Sequence, residues 1–280
     1  MTQKNPDVAY GGVSILHAAG CGWGCSTPVE LSCTAEIQRE ENEHNPEDDG
    51  LLTRIHSSIY SLTGHKIDQD ISVSITSDVP SSMGLKSSSA VAVSSIKCVT
   101  RDSNVSLDPR QIVEVAADMQ IRSGCSMTGS YDDNWAALGY NSAIVRTDSG
   151  KPSSPVGFFR LRKLNCTILD RGVRGSPPTK SDFEEHSEQF QVAKNTLMKG
   201  DVIEAFKLNG LAVAEATRDY EGKDLLKSLD SVGLASTITG SGPSIAILHE
   251  DDQIDLVSDF CQSFGRVITT KVLQQPLEVG

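Results

Sequence analysis

Apolar and polar positions alternate over residues 29–37 and again over 71–76, the period-two signature of two half-buried strands. Leu51, Leu52, Ile55, Ile59 and Leu62 recur instead at helical spacing, and Gly64 offers that helix a stop. A run of small residues over 90–100 predicts a second helix. Asp108-Pro109 opens a third as N-cap and first-turn proline, with Ile112, Val113, Val115, Ala116 and Met119 as its apolar stripe, and it runs out at Arg122-Ser123-Gly124. A short strand is expected at 142–147. Strands follow at 157–161 and 165–169, helices at 181–198, 201–217 and 223–229, then an apolar strand after Gly242-Pro243, a helix over 253–264 and a strand over 266–272. Strands, then helices, then strands argue for an α+β arrangement of the ferredoxin-like kind in the second half. Residues 148–155, rich in Ser, Gly and Pro, carry the strongest linker signal and divide the chain into expected domains 1–150 and 151–280.

A length of 280 residues suits two such domains. The 37 acidic and 25 basic side chains leave a formal charge of −12, which argues against nucleic acid or an anionic membrane as a partner. An anionic ligand must find a local exception to that field. The seven cysteines are scattered among apolar neighbours, and the spacing of Cys21 and Cys25 supplies too few ligands for structural zinc, so free thiols in a reducing cytosol are expected. The N-terminus has no apolar stretch like a signal peptide and no run reaches membrane-spanning length, so a cytoplasmic location is expected. Residues 39–49 read as a solvated acidic connection. Residues 10–31 are dense in glycine and alanine, which marks places where another backbone or a ligand comes close.

Three stretches carry candidate chemistry. Pro80-Ser-Ser-Met-Gly-Leu-Lys-Ser-Ser-Ser-Ala90 lies between an expected strand and an expected helix. Gly84 permits a left-handed backbone, and the serines can leave unpaired amides at the helix start, where the positive end of the dipole favours a di- or triphosphate. Lys86 adds a full charge. The plain alternative is a capped connection with serine as N-cap. The common phosphate loop is excluded, because Leu85 rather than glycine precedes Lys86. The second stretch, Met127-Thr-Gly-Ser-Tyr-Asp-Asp-Asn134, reads as a turn and N-cap into a short helix, with one aspartate more than that role needs. The third, Ser236-Thr-Ile-Thr-Gly-Ser-Gly-Pro-Ser-Ile-Ala-Ile-Leu248, is by itself a structural Gly-Ser-Gly-Pro turn into a buried strand.

Pro80, Gly84, Leu85, Ser87 and Ser88 are in register with the Pro-x-x-x-Gly-Leu-Gly-Ser-Ser-Ala motif of the GHMP kinases, and Gly-Leu-Lys-Ser-Ser-Ser-Ala resembles their archaeal shikimate kinase branch. Thr128-Gly129 with Asp132 and Asp133 resembles Thr-Gly-Ala-Phe-Asp-Asp-Ala of that branch, and Gly240 to Gly242 resembles the superfamily's third motif. Asn134 and Trp135 depart from the small residues of the pattern. The resemblance implies the two-domain GHMP kinase fold, with an N-terminal domain like the second domain of ribosomal protein S5 and a ferredoxin-like C-terminal domain. It further implies ATP held by Pro80, Ser81, Ser82, Met83, Gly84, Leu85, Lys86, Ser87, Ser88, Ser89 and Ala90, closed over by Gly240, Ser241 and Gly242. A hydroxyl of Ser87, Ser88 or Ser89, with Ser88 favoured, would reach Mg2+, and Glu114 or Asp118, with Asp118 favoured, would supply its acidic partner. Lys86 would offset charge on the transferring phosphoryl group, and Asp132 or Asp133 would orient or deprotonate the acceptor hydroxyl. His17, Thr128, Arg171 and Arg174 are the implied substrate contacts, the two arginines as a carboxylate clamp. The implied reaction is ATP-dependent phosphorylation of the 3-hydroxyl of shikimate. The alternatives are a kinase for another small alcohol, such as homoserine or mevalonate, and a non-catalytic nucleotide-binding protein on the same fold.

Overall fold

A computed structural model describes residues 7–38, 50–67, 71–172, 176–262, 264 and 266–274. The N-terminal residues 1–6, the acidic run 39–49 and Arg174 lie outside the described residues. Strand β1 (Ala9–Leu16) passes through the one-turn helix α1 (Ala18–Cys21) and returns antiparallel as β2 (Trp23–Gln38). The small residues of this hairpin serve the close approach foreseen for them: the amide of Gly12 donates to the carbonyl of Leu85 at 3.0 Å, which brings β1 against the loop ahead of the next long helix.

Helix α2 (Ile55–Thr63) closes at Gly64 in the left-handed region, φ 74°. Strand β3 (Ser72–Ser77) pairs with the second half of β2, from Cys33 to Gln38. Helix α3 (Ser87–Asp102) packs on β1 and β2; Ala90, Ala92, Val93, Ser94 and Ile96 are buried there, and side chains this small let the helix lie close to the sheet. Helix α4 (Pro109–Ser123) has the expected cap in full: Asp108 accepts from the Gln111 amide at 2.9 Å, and the Gln111 side chain accepts from the Asp108 amide. Helix α5 (Tyr131–Ala137) then leads to β4 (Ala143–Arg146) and β5 (Pro155–Phe158). These strands complete a five-stranded sheet ordered β1-β2-β4-β5, with β3 beside β2.

The segment 148–155, expected to link two domains, is instead the connection of the β4–β5 hairpin within this first sheet. Its backbone is held there, since Trp135 Nε1 donates to the Ser153 carbonyl at 2.9 Å. The change of sheet falls between Phe158 and Asn165, where β6 (Asn165–Asp170) begins the second one. Helices α6 (Lys180–Glu184) and α7 (Ser187–Met198) occupy the stretch expected as one helix, and α8 (Val202–Ala216) and α9 (Tyr220–Ser231) follow. Strands β7 (Ala235–Ile238) and β8 (Ile245–His249), helix α10 (Ile254–Cys261) and strand β9 (Arg266–Lys271) close the unit. All pairs are antiparallel and the order is β7-β8-β6-β9, so β6 lies between β8 and β9, the arrangement of a β-α-β-β-α-β ferredoxin-like unit. Helix α8 packs on β7 of the second sheet and also on β1 of the first, and one buried apolar cluster runs through both. The two glycine-bearing loops therefore meet across that seam.

Candidate active site

Ser82 (φ 61°), Gly84 (φ 70°) and Lys86 (φ 66°) alternate in the left-handed region, two of them without the freedom of glycine. Met83 and Leu85 between them are buried and anchor the loop in the core. Lys86, rather than a serine, occupies the N-cap position of α3, and no side chain caps the helix. The first amides of a sixteen-residue helix are thus left to a ligand. Gly84 has a second reason to lack a side chain: a Cβ there would fall inside the carbonyl of Thr239. The Thr239 hydroxyl donates to the Gly84 carbonyl at 2.9 Å, and the Gly240 amide donates to Ser14 Oγ at 3.1 Å, so the loops of the two sheets interlock.

A cavity of about 320 Å³ opens at that junction. Ser82, Gly84, Lys86, Ser87 and Ser88 line it from the α3 side, and Gly240 and Ser241 from the second sheet. Thr128, Asp132 and Asp133 reach it from the α5 segment, and His17 from the end of β1. The loop's remaining expected contacts, Pro80, Ser81, Met83, Leu85, Ser89 and Ala90, are not among the lining residues, nor is Gly242. Ser89 faces inward, where Gln120 Nε2 donates to its hydroxyl at 2.9 Å and to that of Ser88 at 3.1 Å.

Asp132 and Asp133 are not the N-cap of α5; Ser130, in the left-handed region, holds that place, and the two acids fall in the first turn. Asp133 pairs with Lys86 at 2.9 Å, and Lys86 Nζ also donates to Ser14 Oγ at 2.7 Å. Asp132 lies deeper, 3% exposed, and is packed onto Gly24 so closely that a Cβ at Gly24 would enter its carboxylate. Burial and the neighbouring Asp133 charge push the Asp132 carboxyl up to about 7, against the pull of Lys86. Ser26 Oγ bridges the two acids, 2.9 Å from Asp132 Oδ2 and 2.6 Å from Asp133 Oδ1. His17 is held neutral: burial first and then the Lys86 charge lower it to about 4. Its Nδ1 accepts from the Ala19 amide at 3.3 Å, which puts the ring proton on Nε2, 3.4 Å from Ser241 Oγ.

Several expected roles do not hold. Arg171 is not on the cavity wall; it forks onto both carboxylate oxygens of Asp219 at 2.6 and 3.0 Å and reaches Glu221, a staple between β6 and the start of α9. Arg174 lies outside the described residues. Asp118 is also off the wall and pairs with Arg122 at 3.4 Å, while Glu114 accepts from Ser153 Oγ at 2.6 Å. No cluster of three or more metal-ligating side chains occurs among the described residues. Of the expected magnesium contacts Ser87 and Ser88 line the cavity, which fits an ion that keeps most of its waters and takes one or two protein oxygens. Ser14 and Ser26 were not singled out in the sequence, while Gly24 was marked only within the small-residue stretch 10–31 and Thr239 only within the third stretch, 236–248.

A free helix start and a lysine-paired acid face one cavity at the junction of two antiparallel sheets. The family description "GHMP kinases N terminal domain" matches residues 51–139. A shikimate kinase of Methanocella arvoryzae is 27% identical over 97% of this chain and 95% of its own length. One from Pyrococcus furiosus is 28% identical over 92% and 95%. The crystal structure of homoserine kinase from Cytophaga hutchinsonii superposes with a TM-score of 0.69 at 17% identity, covering 98% of each chain. Residues 51–139 match the GHMP kinase N-terminal domain, and the chain is an ATP-dependent small-molecule kinase similar to those enzymes, with their two-domain fold.

Proposed function

We propose that the protein transfers the terminal phosphoryl group of ATP to the 3-hydroxyl of shikimate. The observation that carries the chemistry is the Lys86–Asp133 pair at 2.9 Å on the cavity wall beside the start of α3. The substrate choice is supported by near full-length similarity to archaeal proteins named shikimate kinase.

The free amides at the start of α3 and the Ser87 and Ser88 hydroxyls hold the phosphates, and Gly240 and Ser241 close over them. Lys86 neutralises charge on the group in transit. Asp133, the more exposed of the two acids with 15% of its side chain accessible, accepts the proton of the attacking hydroxyl. The oxygen–phosphorus bond to the acceptor forms as the bond to the leaving ADP oxygen breaks, and ADP keeps that electron pair. Magnesium, with Ser88 as a protein oxygen, would supply further charge neutralisation when bound. His17, with its proton on Nε2, and Thr128 donate to the acceptor's oxygens. Free thiols at all seven cysteines suit a reducing cytosol. Among the described residues, no helix is long and apolar enough to cross a membrane.

One observation favours a different alcohol. Lys86 is the sole cationic side chain among the described lining residues, and it is already paired with Asp133, while Arg171 is committed to Asp219. A substrate without a carboxylate would ask for nothing more. ADP release measured with shikimate, homoserine and mevalonate in parallel decides: turnover of shikimate alone is expected, and turnover of homoserine or mevalonate without shikimate overturns the assignment.

A further inference from the structure

A serine hydroxyl carries one proton, yet Ser26 Oγ lies within hydrogen-bond distance of two carboxylate oxygens on different residues, Asp132 Oδ2 at 2.9 Å and Asp133 Oδ1 at 2.6 Å. Sharing one proton between both would lengthen both contacts. The 2.6 Å separation is at the short end for a hydroxyl donating to an ionised carboxylate, so the Ser26 proton belongs to Asp133. Two lone-pair-bearing oxygens facing each other at 2.9 Å would then repel across the Asp132 contact unless a proton lies between them.

The geometry points to Ser26 as a positioning residue that accepts a proton carried by Asp132 and donates its own to Asp133, so that one acid is stored neutral and the other is kept ionised as the base. The chain of donors runs from the Asp132 carboxyl O–H to Ser26, and from the Ser26 O–H to Asp133, whose charge is met by Lys86. Ser26 is itself fully buried, and Asp132 is wedged against Gly24, so the Ser26 hydroxyl is shielded from water on the Asp132 side. The charged and titratable groups around the pair agree with this assignment. Lys86 at the start of α3 touches Asp133 rather than Asp132, His17 beyond β1 is neutral, and the Cys25 thiol on β2 is held protonated chiefly by burial. Glu114 and Asp118 on α4 bear on Tyr131 instead. No sequence motif singles out Ser26, and the chemistry it controls is which of two adjacent, identical acids does the work.

This inference rests on the kinase reading, but its test needs no substrate. Difference infrared spectroscopy of the whole protein, titrated through the neutral range, reads the carbonyl stretch of a protonated carboxyl. The band is expected in the wild type and in Asp133→Asn, and absent in Asp132→Asn. The Ser26→Ala variant gives the sign. A serine that accepts the Asp132 proton stabilises the neutral acid, so its removal lowers the band's titration midpoint, by about one pH unit. A serine that donates to Asp132 would be holding the midpoint down, so a rise in Ser26→Ala, no shift, or no neutral-range band in the wild type overturns the proposal. Ser26→Thr, which keeps a hydroxyl, is expected to restore the midpoint. Failure to turn over shikimate would bear on the substrate and leave this readout untouched.

Discussion

The two aspartates of α5 are neighbours in sequence and unlike in surroundings, and the difference predicts unlike mutants. Removing the ionised member, in Asp133→Asn, is expected to lower kcat by about a hundredfold or more while ATP binding persists, because a base is lost and a phosphate site is not. Asp132→Asn keeps a donor toward Ser26, as the neutral acid would, and is expected to cost less than about tenfold. An equal loss in the two variants would remove the distinction. Stability moves the other way. Asp132 has a folded pKa of about 7, above its unfolded value, so the unfolded chain releases this proton first. The fold is penalised progressively as pH rises from the ordinary carboxylate range through about 7, and the penalty is constant above that. Asp132→Asn is therefore expected to raise Tm above neutrality, by a stabilisation of at most about 4 kcal/mol, with the gain vanishing in acid. Thermal melts at several pH values check the sign.

At the scale of elements, the start of α3 is held from behind by α4. Gln120, fully buried on α4, donates to the Ser88 and Ser89 hydroxyls and accepts from Asn134 Nδ2 of α5 at 3.0 Å, so a single side chain ties the start of α3 to the helix that carries the acids. Gln120→Ala leaves the buried Ser89 and Asn134 and the half-buried Ser88 without this partner and is expected to destabilise the fold by about 2 kcal/mol and to raise KM for ATP severalfold; an unchanged KM would show that α4 only supports the core. Helix boundaries were largely legible. The Asp108 cap, Gly64 and Gly124 are local signals, and each stands where the sequence put it. The hairpin connection 148–155 was misread because Ser, Gly and Pro report a chain reversal and do not report whether the reversal lies inside a sheet. Trp135 and Glu114, which bind Ser153, come from distant helices.

For the whole molecule, the second sheet's contribution is to bring a loop across the seam and to staple its own turn. Arg171 and Asp219 are 8% and 13% exposed, so breaking their pair strands a buried charge. Arg171→Ala is expected to destabilise by about 3 kcal/mol and to leave KM for the acceptor unchanged, whereas a large KM effect at unaltered stability would return Arg171 to the substrate. The sequence by itself determined most of the helices, the α+β character and the glycine-bearing turn before α3, though not β1, β7 or the break between α6 and α7, because turns, caps and periodicity are encoded within a few residues of where they act. Only the tertiary structure decided that Ser14 joins Lys86 to Gly240, 226 positions away, that Ser26 sits between the two acids, 106 and 107 positions away, and that Arg171 faces elsewhere. Those facts depend on which strands lie side by side, and a hydroxyl on a strand carries no local mark of the charge that folding will bring to it.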